Sequence, residues 1–422
     1  MIRFLITTLL LLITLSGCSQ TTPVNVCFQS ANVEHWSEDI DLYKINLEKY
    51  HIDLYNKISK VEFEEELQQI KSKLNKKTNI DVIIDLMRLT RKIGDGHTSF
   101  LAKGIEMHKF PIEVHYTNQH WKVIKTTLEH KNLLGTTLAS IDGISINEIA
   151  EKIGEIAQYV ENDQSKIHRT KQNLMNVEFL YGLQLTKQKF EAEFTFLDNN
   201  NKKTKASLKA ISNKDYYENT EFQSIKTVIP GLEKPADSKH DFLWFSPIRD
   251  TKAVYIKFQS YPSFTEMESF GESILTFIKK NNIKQIVIDL RNNGGGDFFV
   301  GTFLAYYLNL SDSIDWKSGV YVLTDKVTFS AATSNASQFR QILNAKIVGE
   351  PTGSNPTGYQ DMGQFVLPNS EMIVTYSKRL FRFQDQITQG VQPDVLIEYD
   401  WESFSKGIDN VMEWVINDIK EK

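Results

Sequence analysis

The stretch KVTFSAATSNAS (326–337) sets the hydroxyl of Ser330 among small residues, just before a run that reads as a helix. A serine hydroxyl is a weak nucleophile until an adjacent base activates it. Ser330 therefore has chemistry only if the rest of the chain supplies that base and a set of donors for an oxyanion. A plainer role is open to it, since serine often caps a helix N-terminus. The second segment of chemical character is IDLRNNGGGD (288–297), where a strand exits through consecutive glycines directly before a helix. Glycine permits positive φ and a close approach of another chain. The first peptide N–H groups of the following helix are unpaired and point outward, an arrangement that receives a negative oxygen. The glycine run fits neither G-x-G-x-x-G nor the Walker spacing, which argues against a nucleotide site. Lys326, four residues before Ser330, is a conceivable base, although a loop lysine is more simply a solvated one.

These loops need a scaffold. From Ala253 onward strands and helices alternate: AVYIKF, TEMESFGESILTFIKK, QIVIDL, FFVGTFLAYYL, GVYVLT, SAATSNASQFRQIL and AKIVG. QIVIDL is an uninterrupted apolar strand of the kind buried on both faces, and the alternation argues for stacked βαβ units. Near the C-terminus Phe404, Ile408, Val411, Val415 and Ile419 recur at helical spacing and predict one packing helix. Upstream, residues 34–93 read as helical. Ser59 and Glu62 stand in capping-box spacing, and Ile83, Leu86, Thr90 and Ile93 form one face of a helix that stops at Gly94. That helix delivers GDGHTSF (94–100) to a turn. Between them, FPIEVHYT, HWKVIKTT, GTTLASIDG, FEAEFTFLD and KTKASLKAI alternate as short strands, with a tight turn at Asp142-Gly143 followed by a helix. The organisation expected is thus an N-terminal helical domain (34–107), a β-rich module (108–210), a polar connector (211–250) and an α/β core (251–422).

IVIDLRNNGGG, TFSAATSNA, AKIVGEPTG and GVQPDVLIE, taken in that order, resemble the core of the carboxyl-terminal processing and tricorn-type serine peptidases, as does RKIGDGHTSF after a helical domain. The resemblance covers nearly all of the chain after its first residues. It implies a ClpP/crotonase-like core and a PDZ-like module between the helices and that core. The module lacks a Gly-Leu-Gly-Phe-like loop for a peptide carboxylate. By the same resemblance Ser330 is the nucleophile, amides near Gly295 and at Ala331 form the oxyanion hole, and no metal or organic cofactor takes part.

The resemblance also bears on the proton. In the processing-protease branch a lysine shortly after GEPT is the base, and that position holds Asn355, an amide that accepts no proton at neutral pH. In the tricorn-type branch a histidine from the GHT-like loop fills the role and falls on His97; imidazole is the commonest general base. The glutamate that precedes GVxPD in that branch is replaced by Thr388 and Gln389, which leaves Asp385 as the nearest acid, with Asp95 and Asp361 as further candidates. A histidine without a carboxylate behind it can hold the wrong tautomer, at a cost of about 10⁴ in turnover. The expected activity is an extracytoplasmic serine endopeptidase acting on polypeptides through a Ser-His acyl-enzyme. The alternative is a catalytically decayed protein that binds peptides or hydrophobic ligands on the same fold, as retinoid-binding relatives do.

The chain has 422 residues, 41% hydrophobic and 24% charged, with a net charge of −5. That composition is globular, and the negative balance speaks against nucleic acid as a partner. MIRFLITTLLLLITLSGCSQ opens with a basic residue and an apolar run from Phe4 to Leu15, short of the roughly 20 residues needed to span a bilayer. The pattern is that of a signal peptide (1–17). Leu-Ser-Gly-Cys resembles the bacterial lipobox, which implies lipidation at Cys18, a short tether (18–33) and anchorage on the outer side of a bacterial membrane. Only Cys27 remains besides Cys18, so the fold is expected to stand without a disulfide.

Overall fold

The computed structural model describes residues 26–422; the signal peptide and Cys18 lie outside the described residues. Three helices open the described chain, Val33–Tyr50, Lys60–Ser72 and Asn79–Ile93. Ser59 caps the second by accepting the Glu62 N–H. The reciprocal bond of a capping box is not formed, and the Glu62 carboxylate instead faces Lys92 at 3.6 Å. The third helix buries Ile83, Leu86, Thr90 and Ile93, the face expected from its spacing, and ends at Gly94 in the left-handed region (φ 79°).

A seven-stranded sheet follows. Its main strands are Ile112–Thr117, His120–Thr127, Thr137–Ile141, Glu191–Leu197 and Lys203–Lys209, matching the alternating runs of the sequence. Asp142 and Gly143 both take positive φ, 48° and 90°, as a two-residue hairpin turn requires. The helices Asp163–Asn173 and Val177–Gly182 were not foreseen. The first is hidden by its polar composition, although Asn162 and Ser165 cap it reciprocally, and the second is too short, at six residues, to show a helical period.

The C-terminal part is built on six strands in the order Leu243–Pro247, Ala253–Phe258, Gln285–Asp289, Val320–Thr324, Lys346–Gly349 and Val395–Leu396. All neighbours are parallel except the first pair. The edge strand Leu243–Pro247 arises inside the stretch expected to be a connector. The apolar side chains of one face pack with Met267, Ile274, Leu304 and Phe339 from three helices. Those of the other pack with Val411, Met412, Val415 and Ile419. The expected final helix is in fact two, Trp401–Ser405 and Asn410–Lys420. Gly407 (φ 77°) breaks the stripe and Asp409 caps the second helix, so Ile408 is exposed rather than packed.

One element crosses between these parts. The long hairpin Thr357–Val366 and Ile373–Arg382 pairs with the short strand Ser99–Leu101, in register Ser99 to Thr375. Its Leu367, Met372 and Val374 join the apolar cluster of the N-terminal helices and the module. A C-terminal segment thereby grips the turn that carries His97.

Candidate active site

The loop that leaves Gln285–Asp289 is fixed by buried charge. Arg291 donates to Asp289 (2.9 and 2.7 Å) and to Asp409 (2.8 Å to each oxygen). Asn293, fully buried, donates through its side chain to the Phe258 carbonyl, and its own carbonyl accepts the Phe329 N–H at 2.9 Å. The neighbouring loop turns on Asp325, whose carboxylate accepts the amides of Asn292, Val327 and Thr328. Burial, with the Glu350 charge behind it, pushes that carboxyl up to about 6.

Ser330 sits at φ 54°, ψ −125°, a conformation that non-glycine residues rarely adopt. Strain of this kind persists only where the surroundings over-determine it. Here the Ser330 N–H donates to Ser354 Oγ at 2.7 Å, and Ser354 donates onward to Thr333. The side chain does not cap the helix Ala331–Ile342 that it precedes, which removes the plainer role. With the imidazole neutral, the Ser330 hydroxyl instead donates to His97 Nε2 at 2.9 Å, across 233 positions of sequence.

His97 is 4% exposed, and its ring lies 5.4 Å from that of Phe329, centroid to centroid. Its turn interlocks with the serine loop. A Cβ on Gly96 would sit 2.9 Å from both Phe329 and Glu161, so only glycine fits there. Asp95 holds the turn from within: it accepts the N–H groups of His97 and Thr98 at 2.8 Å, the Ser377 hydroxyl at 2.6 Å and His51 Nε2 at 2.8 Å. Burial raises the Asp95 carboxyl, but these partners outweigh it and leave it below its ordinary value. Thr375 Oγ1 donates to the His97 carbonyl at 2.8 Å. Burial likewise holds the His97 imidazole below its ordinary value, opposed by the Asp95 charge. A base that is neutral near pH 7 suits proton abstraction from a hydroxyl.

Among the described residues no carboxylate bonds to the far side of the ring. His97 Nδ1 is buried and closes no well-formed hydrogen bond; the Tyr359 carbonyl acts on the ring and favours its proton. Asp385, the acid expected there, is exposed and makes no contact with His97. Beside it, Gln384 Nε2 donates to the Gln386 carbonyl and to Thr388 Oγ1. Asp95 is spent on backbone amides and His51. Asp361 lines the same cleft but pairs with Lys378 (3.1 Å) and Arg379 (3.2 Å). Lys326 pairs with Glu350. Asn355 is a structural joint, accepting from Asn162 Nδ2 (3.1 Å) and the Gly390 N–H (2.8 Å).

The glycine loop lies against the serine. Gly295 (φ 100°) lies so near that a Cβ would come within 2.7 Å of Ser330 Cβ and 2.8 Å of the Phe329 carbonyl. Its own N–H, however, donates to Asn293 Oδ1 at 2.9 Å. Ala331 begins its helix with an N–H that enters no hydrogen bond among the described residues. Ser330, His97, Ala331 and Gly294 to Gly296 line one cleft of about 740 Å³ with Tyr159, Arg169 and the rings of Phe298, Phe299 and Phe381. Tyr159, Glu161 and Arg169 escaped the sequence reading because they belong to no motif. Glu161 accepts the Asn355 N–H at 3.1 Å, and burial pushes its carboxyl up to about 8.

Known proteins bear on this arrangement. Residues 301–397 match the model of peptidase family S41, a span that holds Ser330 and Asn355 but neither His97 nor the glycine loop. The fold is similar to that of mature CPAF complexed with lactacystin: TM-score 0.67 at 11% identity, over 92% of this chain and 98% of that one. Mature CPAF matches at 0.66 and 12% identity, over 92% and 97%. A putative peptidase from Parabacteroides merdae matches at 0.47 and 13% identity, over 91% and 96%. No curated protein matches in sequence. At such identities the two CPAF structures speak for the fold alone, and the stretch 301–397 is what is similar to peptidase family S41.

Proposed function

We propose that the protein is a serine endopeptidase that cleaves polypeptides through a Ser330 acyl-enzyme. The observation that carries this reading is the 2.9 Å contact of Ser330 Oγ with His97 Nε2, made by a serine that does not cap its helix. Ser330 Oγ attacks the scissile carbonyl while His97 Nε2 takes its proton and then passes it to the leaving amine. Water, deprotonated by the same nitrogen, releases the acyl group. The Ala331 amide holds the oxyanion together with the glycine loop, where Gly294 or Gly296 takes the part expected of Gly295, whose N–H is already bound. The Tyr359 carbonyl, which favours the protonated ring, takes over part of the role of the missing acid. On this reading the six-stranded part is the ClpP/crotonase-like core and the seven-stranded part a PDZ-like module. Leu-Ser-Gly-Cys supports a lipid anchor at Cys18 and an extracytoplasmic site of action on a bacterial membrane.

The decayed-binder alternative rests on Asn355 at the lysine position and on the absence of a carboxylate at Nδ1. A fluorophosphonate probe separates the two. Labelling of the wild type that disappears in both Ser330→Ala and His97→Ala supports the peptidase; a folded wild type that is never labelled supports the binder.

A further inference from the structure

Among the described residues, Arg169 is the one guanidinium lining the cleft that pairs with no carboxylate. It stands on the helix Asp163–Asn173, held by the Asn162–Ser165 cap, and reaches the cleft that contains Ser330 and His97. Its guanidinium carbon lies 5.2 Å from the Phe329 ring centre and 5.6 Å from that of Tyr159. Nη1 donates to Gln172 at 3.0 Å, while Nε is buried and has no partner among the described residues. The acids that line the cleft are committed elsewhere: Asp361 to Lys378 and Arg379, and Asp297 to the Phe299 N–H at 2.9 Å. Arg169 is half-buried, and a cation even partly withdrawn from water without an anion is costly. Burial indeed holds the Arg169 guanidinium below its ordinary value. The planar fork of arginine matches a carboxylate with paired hydrogen bonds, and the two aromatic rings fix its plane. Phe329 is the residue before the nucleophile, so this charge sits beside the scissile bond.

We infer that Arg169 is a specificity-determining residue that binds a carboxylate of the substrate, either an acidic side chain near the scissile bond or a free chain terminus. The inference rests on the peptidase reading and names the substrate class of that site. Phe298, Phe299 and Phe381 line the remainder of the cleft and take the apolar neighbours of the acidic group.

The test uses the full chain and quenched fluorogenic peptides that differ only in Glu against Gln at each position, or in a free against an amidated C-terminus. In the wild type the charged member of one series is expected to exceed its neutral partner in kcat/KM by roughly 10- to 100-fold, the range of a hydrogen bond to a charged group. Arg169→Gln brings that ratio to about 1, and Arg169→Lys keeps part of it. The series that responds identifies the source of the carboxylate. A wild type indifferent to charge in both series, or a preference that survives in Arg169→Gln, overturns the inference. Binding of the same peptides to Ser330→Ala, read by fluorescence anisotropy, keeps the two readings apart. Carboxylate-selective binding without turnover by the wild type sinks the peptidase and leaves Arg169 in place. Turnover without selectivity does the reverse.

Discussion

The two halves of the proposed catalytic pair, Ser330 and His97, are held in different ways. Ser330 stands on a scaffold made within one part of the chain: the Arg291 ion pairs, the Asn293 and Asp325 networks and the Ser354 contact all come from residues 258–409. His97 sits on a turn whose supports come from far apart, His51 in the N-terminal helices and Thr375 and Ser377 in the hairpin that reaches back from the C-terminal part. A nucleophile built locally and a base assembled from distant segments imply that fold stability and activity can be lost separately. Damage to the serine side should unfold the sheet, whereas damage to the histidine side should misplace the base on an otherwise intact core.

The largest effect on stability is expected on the serine side. Arg291→Ala leaves Asp289 and Asp409 buried and uncompensated, and should cost about 3–5 kcal/mol, read in urea unfolding. On the histidine side Asp95→Ala removes four hydrogen bonds from the turn. It should cost about 3 kcal/mol and lower kcat about 100-fold through displacement of the base. The contrast is sharpened by hydrogen exchange: amides of 97–101 should lose protection in this variant while those of 334–339, inside the helix that follows Ser330, keep it. Equal loss in both would mean that the halves are one cooperative unit.

Smaller effects probe the seam between them. The Glu161 carboxyl titrates at about 8 in the folded protein against an ordinary 4.5. Between those values the folded state retains a proton that the unfolded chain releases, so stability falls as pH rises, by at most about 1.4 kcal/mol per pH unit. Glu161→Gln should abolish that slope, giving a higher Tm than wild type near pH 8 and no advantage near pH 4.5. Calorimetric scans across that range check it. Ser377→Ala, which deletes a single hydroxyl bond to Asp95, should cost about 1 kcal/mol and reduce kcat less than Asp95→Ala does.

The same difference explains what could be read from sequence. The serine loop and glycine turn are contiguous, and their residue types betray the geometry: Gly295 must be glycine because of its φ and the proximity of Ser330. The buried strands and the face of Asn79–Ile93 follow from spacing alone. His97 was reached only through a resemblance, because the hairpin that brings it to Ser330 carries no local sign of that task. Asp385 is near in sequence to the missing glutamate, but it is exposed and nearness along the chain does not bring it to His97. Glu161 and Arg169 lie in a polar helical region where nothing in the sequence marks a charge as buried. The edge strand Leu243–Pro247 was hidden among turn-forming residues, and Gly407 divided a stripe that looked continuous.

The central claim, that His97 takes the proton of Ser330, is tested most directly by the pH dependence of inactivation by a fluorophosphonate. Because only the neutral imidazole accepts the proton and its pKa is lowered from 6.5, the rate should stay high down through pH 6.5. It should then fall with a one-proton midpoint below that value. His97→Gln should be slower by about 100-fold or more and lose this titration. A variant that reacts as fast as the wild type, or a wild-type rate without a histidine midpoint, would contradict the account.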